Sequence, residues 1–109
     1  MNVMRIDHVS LNTTDRPRTV AFYEELLGLD VARRDASADS PVFLGPAGAR
    51  LGLFGDRAPG LRHVALATTE DEQEALVARL AGLGVAHRRE RRSVYFPDPD
   101  GAWIEVLVP

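Results

Sequence analysis

The stretch RHVALATTE, residues 62–70, repeats DHVSLNTTD, residues 7–15, and this repetition decides how the rest of the chain is read. His8 answers to His63, Val9 to Val64, Leu11 to Leu66, and Thr13 and Thr14 to Thr68 and Thr69, all at an offset of 55 (63 − 8 = 55). Asp15 is matched by another acid, Glu70. Two of the chain's three histidines therefore stand at one position of a repeat, which asks for a shared role.

The repeat continues beyond these stretches. GLDVARR at 28–34 corresponds to GLGVAHR at 82–88, VFL at 42–44 to VYF at 94–96, and GARLGLF at 48–54 to GAWIEVL at 101–107. Two modules, about 1–56 and about 61–109, account for the chain as one domain of 109 residues. Two copies are too few for a solenoid, which needs at least about three units. A pseudo-twofold domain is the expected arrangement.

Within each module the pattern of apolar residues changes period. Residues 6–12 and 63–67 alternate, as half-buried strands do, with Val9 and Leu11 on one face and His8 and Ser10 on the other. A helix is expected next. In the first module Asp15 is a natural cap, Pro17 suits the first turn, Gly28 is a stop, and Val20, Tyr23 and Leu27 form the apolar face, flanked by Phe22 and Leu26. In the second, TEDE at 69–72 is a capping box, Leu76, Val77 and Leu80 are the buried stripe, and Gly82 or Gly84 ends the helix. Three short strands follow in each module, separated by the turn sequences PAG at 46–48 and PDPDG at 97–101. The expected fold class is α+β: two tandem βαβββ modules forming a cupped mixed sheet, with the helices on its outer face.

Composition narrows the function classes. Apolar residues make up 45% and charged residues 27%, the mix of a globular chain. A formal net charge of −3 gives no reason to expect nucleic acid. The absence of cysteine removes disulfides, thiolate metal sites and a cysteine nucleophile. No stretch is apolar enough for a signal peptide or a membrane span, so a cytoplasmic protein with no membrane partner is expected. The arginine-rich run RRERR at 88–92 reads as a solvated hairpin.

Alternation then selects a candidate site. On the last strand of the first module Leu51 and Leu53 face the helices, leaving Arg50, Gly52 and Phe54 on the cup side. On the last strand of the second, Ile104, Val106 and Val108 face the helices, leaving Trp103, Glu105 and Leu107 on the cup side. A carboxylate between apolar neighbours is costly to bury without a partner, so Glu105 asks for one. His8 and His63 enter the cup from equivalent strands. Two imidazoles and one carboxylate form a divalent metal site with open positions, suited to Fe, Mn, Ni, Co or Zn. The repeat-mate of Glu105 is Gly52, which brings no ligand. Ser10, Phe43, Arg50, Phe54, Trp103 and Leu107, with Tyr95, form an aromatic wall with a few polar points, the usual lining of a small-molecule site. Arg50 is placed to hold an anionic group of the substrate.

These residues resemble the vicinal oxygen chelate superfamily, which includes glyoxalase I, extradiol dioxygenases, methylmalonyl-CoA epimerase and the fosfomycin and bleomycin resistance proteins. The resemblance spans nearly the whole chain and is carried by IDHVSLNTTD at 6–15, FYEELLGL at 22–29, RHVALATTE at 62–70 and YFPDPDGAWIEVL at 95–107. It implies paired βαβββ modules around a divalent metal, with His8, His63 and Glu105 at ligand positions. The remaining ligand position of glyoxalases and epimerases falls on Gly52. Their proton transfer next to a carbonyl uses a carboxylate base there, which Gly52 cannot supply. The three-ligand pattern that remains is similar to extradiol dioxygenases and fosfomycin-modifying transferases. Among fosfomycin-type proteins a longer polar loop precedes the strand at 93–96 and an arginine follows the final glutamate; this chain has neither. For dioxygenase chemistry Tyr95 is a candidate proton donor. The resemblance also implies a homodimer, with His8 joining His63 and Glu105 either within one chain or from a second copy.

Two expectations from different classes follow. One is a metal-dependent enzyme, dioxygenase-like or lyase/transferase-like, acting on a small oxygen-containing molecule. The other is a metal-free protein of the bleomycin-resistance type that sequesters a small ligand between aromatic side chains such as Trp103 and Tyr95. A regulatory or structural dimer with vestigial ligand residues is a third.

Overall fold

The computed structural model describes residues 4–33, 40–46 and 48–109. Ten elements follow one another: β1 (Arg5–Asn12), α1 (Arg16–Leu27), β2 (Val31–Arg33), β3 (Val42–Leu44), β4 (Arg50–Phe54), β5 (Gly60–Ala67), α2 (Glu70–Gly82), β6 (Arg88–Glu90), β7 (Ser93–Pro97) and β8 (Trp103–Leu107). The order is βαβββ written twice, the α+β class read from the sequence. Two compact units result: Asp7–Arg62, and His63–Pro109 with the first residues of the chain.

In the first unit the strands lie in the order β2-β3-β4-β1. β1 runs parallel to β4, while β2–β3 and β3–β4 are antiparallel. The second unit repeats this as β6-β7-β8-β5, with β5 parallel to β8 and the other two pairings antiparallel. A parallel pair cannot be joined by a tight turn. In each module the helix and two strands supply the crossover. Equivalent backbone bonds finish each parallel pair: the Thr13 N–H donates to Phe54 O at 2.8 Å, and the Thr68 N–H to Leu107 O at 2.9 Å.

The helices begin and end as local chemistry dictates. The Asp15 carboxylate accepts from the Arg18 N–H and Pro17 sits in the first turn. In the second module the cap is Thr69, whose hydroxyl accepts from the Glu72 N–H, so this helix starts one repeat position earlier. Gly28 ends α1 in the left-handed conformation, and its N–H returns to Glu24 O. In α2 the left-handed residue is Gly84, not Gly82, the repeat-mate of Gly28. The Val85 N–H is consequently spent on Leu80 O, at 2.9 Å. Val85 therefore cannot open the next strand as Val31 does, and β6 begins only at Arg88.

Leu53, Val42, Leu44 and Val20 form the core of the first unit, with Leu11, Tyr23, Leu29 and Val31 packed against it. The helix face differs here from its expected extent. Val20 is buried and Tyr23 half-buried, but Phe22, Leu26 and Leu27 are exposed. Leu29, beyond the left-handed glycine, makes the core contact expected of Leu27. The second unit buries Ala67, Leu80, Val94 and Val106. It also buries Gln73, whose side-chain amide donates to Arg92 O at 2.8 Å and to Val106 O at 3.0 Å. The arginine run forms the β6–β7 hairpin, turning at Arg91 with φ +57°. No helix among the described residues is long and apolar enough to cross a membrane.

Candidate functional site

Strand register puts the candidate residues of each unit in rows. In the first unit Ser10 lies opposite Gly52, which lies opposite Phe43 on its other side. In the second the corresponding row is Ala65, Glu105 and Tyr95. The face on which a side chain emerges is fixed by the two-residue period, so these rows carry the side chains selected by alternation.

The second unit supplies the denser chemistry. Glu105 is buried, and its Oε1 lies 3.0 Å from His63 Nε2, itself on a buried ring. The Ser93 hydroxyl donates to the other carboxylate oxygen, Oε2, at 2.7 Å. Tyr95 stands edge-on to the His63 ring, with centroids 6.1 Å apart and planes at 79°. Burial, reinforced by the negative charge of Glu105, pushes the Tyr95 hydroxyl up to about 12. It therefore keeps its proton throughout the neutral range. The Arg88 guanidinium lies over the Tyr95 ring, 4.8 Å from its centroid. Leu107 is half-buried opposite Ser93, and Trp103 is exposed at 47%.

In the first unit His8 is buried and donates from Nδ1 to Asp7 Oδ2 at 2.7 Å. A carboxylate offers no proton, so this bond requires the hydrogen on Nδ1, and in the neutral ring the lone pair then lies on Nε2. Phe43 meets the His8 ring edge-on, at 5.2 Å and 77°, repeating the Tyr95–His63 contact. Arg50 is opposite His8 in the register, and its Nη1 is 3.9 Å from the same Asp7 oxygen. Thus the side chain expected to reach for substrate also has an acid beside it. Phe54 is buried under the Arg62 guanidinium, 4.0 Å from the ring centroid, and Arg62 donates to Asn12 Oδ1 at 3.3 Å.

Two details bear on whether a ligand belongs here. Ser10 is fully buried and its hydroxyl has no hydrogen-bond partner among the described residues, an arrangement that costs about 1–3 kcal/mol in a dry interior. A Cβ on Gly52 would come within 2.9 Å of both Ser10 Oγ and Phe43 Cε1. The glycine is therefore required by its neighbours. The His63–Glu105 separation also fits metal chemistry: two ligand atoms each about 2.1 Å from a divalent ion, at right angles, lie about 3 Å apart.

Asp7 and Ser93 were not among the residues singled out from the sequence. Ser93 is twelve positions from Glu105 and becomes its partner only through the β7–β8 register. Asp7 precedes a candidate ligand, which is the one signal that pointed to it.

With two βαβββ modules and this donor set in place, the family follows. Residues 5–106 match the Glyoxalase/Bleomycin resistance protein/Dioxygenase superfamily, and the chain belongs to it. Among curated relatives, it is 33% identical to the glutathione transferase FosA of Serratia marcescens, covering 94% of this chain and 79% of that protein. It is 28% identical to the metallothiol transferase FosB of Lysinibacillus sphaericus, covering 96% and 82%. Among solved structures, homoprotocatechuate 2,3-dioxygenase from Arthrobacter globiformis aligns with a TM-score of 0.82 at 26% identity, over 96% of this chain and 37% of that one. Methylmalonyl-CoA epimerase from Mycobacterium tuberculosis aligns with a TM-score of 0.73 at 21% identity, over 95% and 87%, a likeness of fold.

Proposed function

We propose that the protein is a divalent-metal-dependent enzyme acting on a small oxygen-containing molecule, with His8, His63 and Glu105 as the protein ligands. The observation that carries this reading is the buried His63–Glu105 pair at 3.0 Å, its second carboxylate oxygen already held by Ser93. His8 adds a third buried ligand atom of suitable type. The metal, of Fe, Mn, Ni, Co or Zn type, would polarise an oxygen of the substrate as a Lewis acid.

The chain's own residues do the rest. The Ser10 hydroxyl donates to a substrate oxygen and so gains the partner it lacks. Arg50 takes an anionic group, while Phe43, Phe54, Trp103 and Leu107 orient the remainder. Tyr95, protonated beside Glu105, donates a proton to the oxygen that gains charge. Of the possible reaction types, group transfer is supported by the two curated relatives, both named as transferases of thiol compounds. This chain has no cysteine, so a thiol would arrive as a co-substrate. Gly52, where a carboxylate base would stand, argues against proton shuffling of the glyoxalase or epimerase kind. A homodimer is part of the same reading, and sedimentation velocity would register it as a species near twice the 11.9 kDa monomer.

Elemental analysis of protein purified without chelator tests the proposal. One metal per chain, lost in His63→Ala, is the expected result. Failure of the native protein to take up Fe, Mn, Ni, Co or Zn ends it. A metal-free sequestering protein is then the surviving reading if aromatic ligands quench the fluorescence of Trp103, the chain's one tryptophan.

A further inference from the structure

The two histidines share a repeat position but not a neighbour. The residue before His8 is Asp7, and the residue before His63 is Arg62 (62 − 7 = 55). In the first unit the acid turns back onto its own histidine at 2.7 Å. In the equivalent place the guanidinium lies over Phe54 and reaches Asn12. The acid and the guanidinium at this repeat position thus turn to different neighbours.

The geometry points to Asp7 as a positioning residue, one that fixes His8 in the Nδ1–H tautomer and holds its Nε2 ready to bind metal. This inference rests on the metal reading above. A neutral histidine in water prefers the proton on Nε2, the wrong atom for a ring that must ligate through that nitrogen. Hydrogen bonding of Nδ1–H to an acid reverses the preference, fixes the ring orientation and strengthens the ligand, an effect typically worth about 10–100-fold in metal affinity. The surroundings suit the role. Asp7 has only 16% of its side chain exposed, so the bond is poorly screened by water. Phe43 blocks rotation of the imidazole from the side, edge-on at 5.2 Å. Arg50 Nη1 lies 3.9 Å from the same carboxylate oxygen, farther than the 2.7 Å of the His8 contact.

Two variants separate orientation from charge. Asp7→Asn keeps an oxygen able to accept from Nδ1–H, and Asp7→Ala keeps neither acceptor nor charge. The first readout is the tautomer of His8 in metal-free protein at about pH 8, from long-range proton–nitrogen correlation spectra assigned with His8→Gln. The native protein and Asp7→Asn should show Nδ1–H, while Asp7→Ala shifts towards Nε2–H with the His63 signals unmoved. The second readout is calorimetric titration with zinc and with manganese. Asp7→Ala should bind about 10–100-fold more weakly than native protein, and Asp7→Asn should fall between them. An Asp7→Ala variant that keeps both the native tautomer and an affinity within about twofold of native overturns the inference. If native protein binds no metal, the functional proposal falls, and the tautomer alone decides whether Asp7 governs His8.

Discussion

The two modules repeat one plan with different side chains. The row Ser10–Gly52–Phe43 and the row Ala65–Glu105–Tyr95 occupy the same register positions on the same strand pairs. Each histidine keeps an aromatic edge beside it, Phe43 in one case and Tyr95 in the other. The charged and polar groups, however, have been dealt out unequally. The second module holds the carboxylate and the phenol; the first holds an orphaned hydroxyl, a bare glycine and the acid behind His8. Where the second module carries the proposed ligand Glu105, the first carries Gly52 beside Ser10.

The largest expected effect comes from erasing what the second module has and the first lacks. Glu105→Ala removes a proposed ligand and leaves Ser93 and His63 facing a void. Metal affinity should fall by more than about 100-fold, beyond the range expected for residues that only support a ligand. Calorimetric titration with the metal found by elemental analysis checks this. An affinity within about threefold of native would show that the carboxylate is structural.

The opposite experiment gives the first module a carboxylate. Gly52→Glu restores the formal symmetry, yet its Cβ would meet Ser10 Oγ and Phe43 Cε1 at 2.9 Å. Neither neighbour is the tip of a flexible chain. Destabilisation of about 1–3 kcal/mol, read as a lower urea midpoint, is expected rather than a fourth ligand. A variant of native stability that binds metal more tightly would mean that the glycine is no packing requirement.

Ser93→Ala follows in size. Loss of a 2.7 Å bond to Glu105 Oε2 should weaken metal binding about 10-fold, while leaving the fold within about 1.5 kcal/mol of native. Ser10→Ala is smaller still and of opposite sign. Ala65 already occupies the equivalent position, fully buried, in the other module. Removing the orphaned hydroxyl should leave the ligand-free protein unchanged or up to about 1 kcal/mol more stable in urea. Destabilisation by more than that would mean that the hydroxyl has a structural partner.

These contrasts also explain what the sequence could and could not disclose. His8, His63 and Glu105 were legible because a repeat and a two-residue period both act on them, one matching positions and the other assigning faces. The same two rules marked Gly52 as the repeat-mate of Glu105. Repetition looks for what is shared, so it passed over Asp7, whose counterpart is the oppositely charged Arg62. Ser93 depends on strand register, which sequence patterns leave open. The late start of β6 arose from a competition that no periodicity reports, in which the helix end captured the Val85 N–H. The exposure of Leu27 has a similar origin, since the left-handed turn at Gly28 hands the core contact to Leu29.

The smallest expected effect distinguishes the two aromatic neighbours. Phe43 cannot ionise, whereas Tyr95 stands beside a buried carboxylate and is pushed up to about 12, chiefly by burial. In the unfolded chain a tyrosine ionises near 10. Because the folded value is the higher one, the contribution to stability is fully present below about pH 10 and is lost as pH rises towards about 12. In metal-free protein the urea midpoint should accordingly fall over that window, and fall less steeply in Tyr95→Phe. Absorbance at 295 nm should show the delayed tyrosinate in native protein, and Glu105→Gln should bring it to lower pH by removing the neighbouring charge. The shift should shrink without vanishing, since burial is its larger cause. A titration unmoved by Glu105→Gln would separate Tyr95 from the carboxylate and, with it, from the proposed proton-donor role.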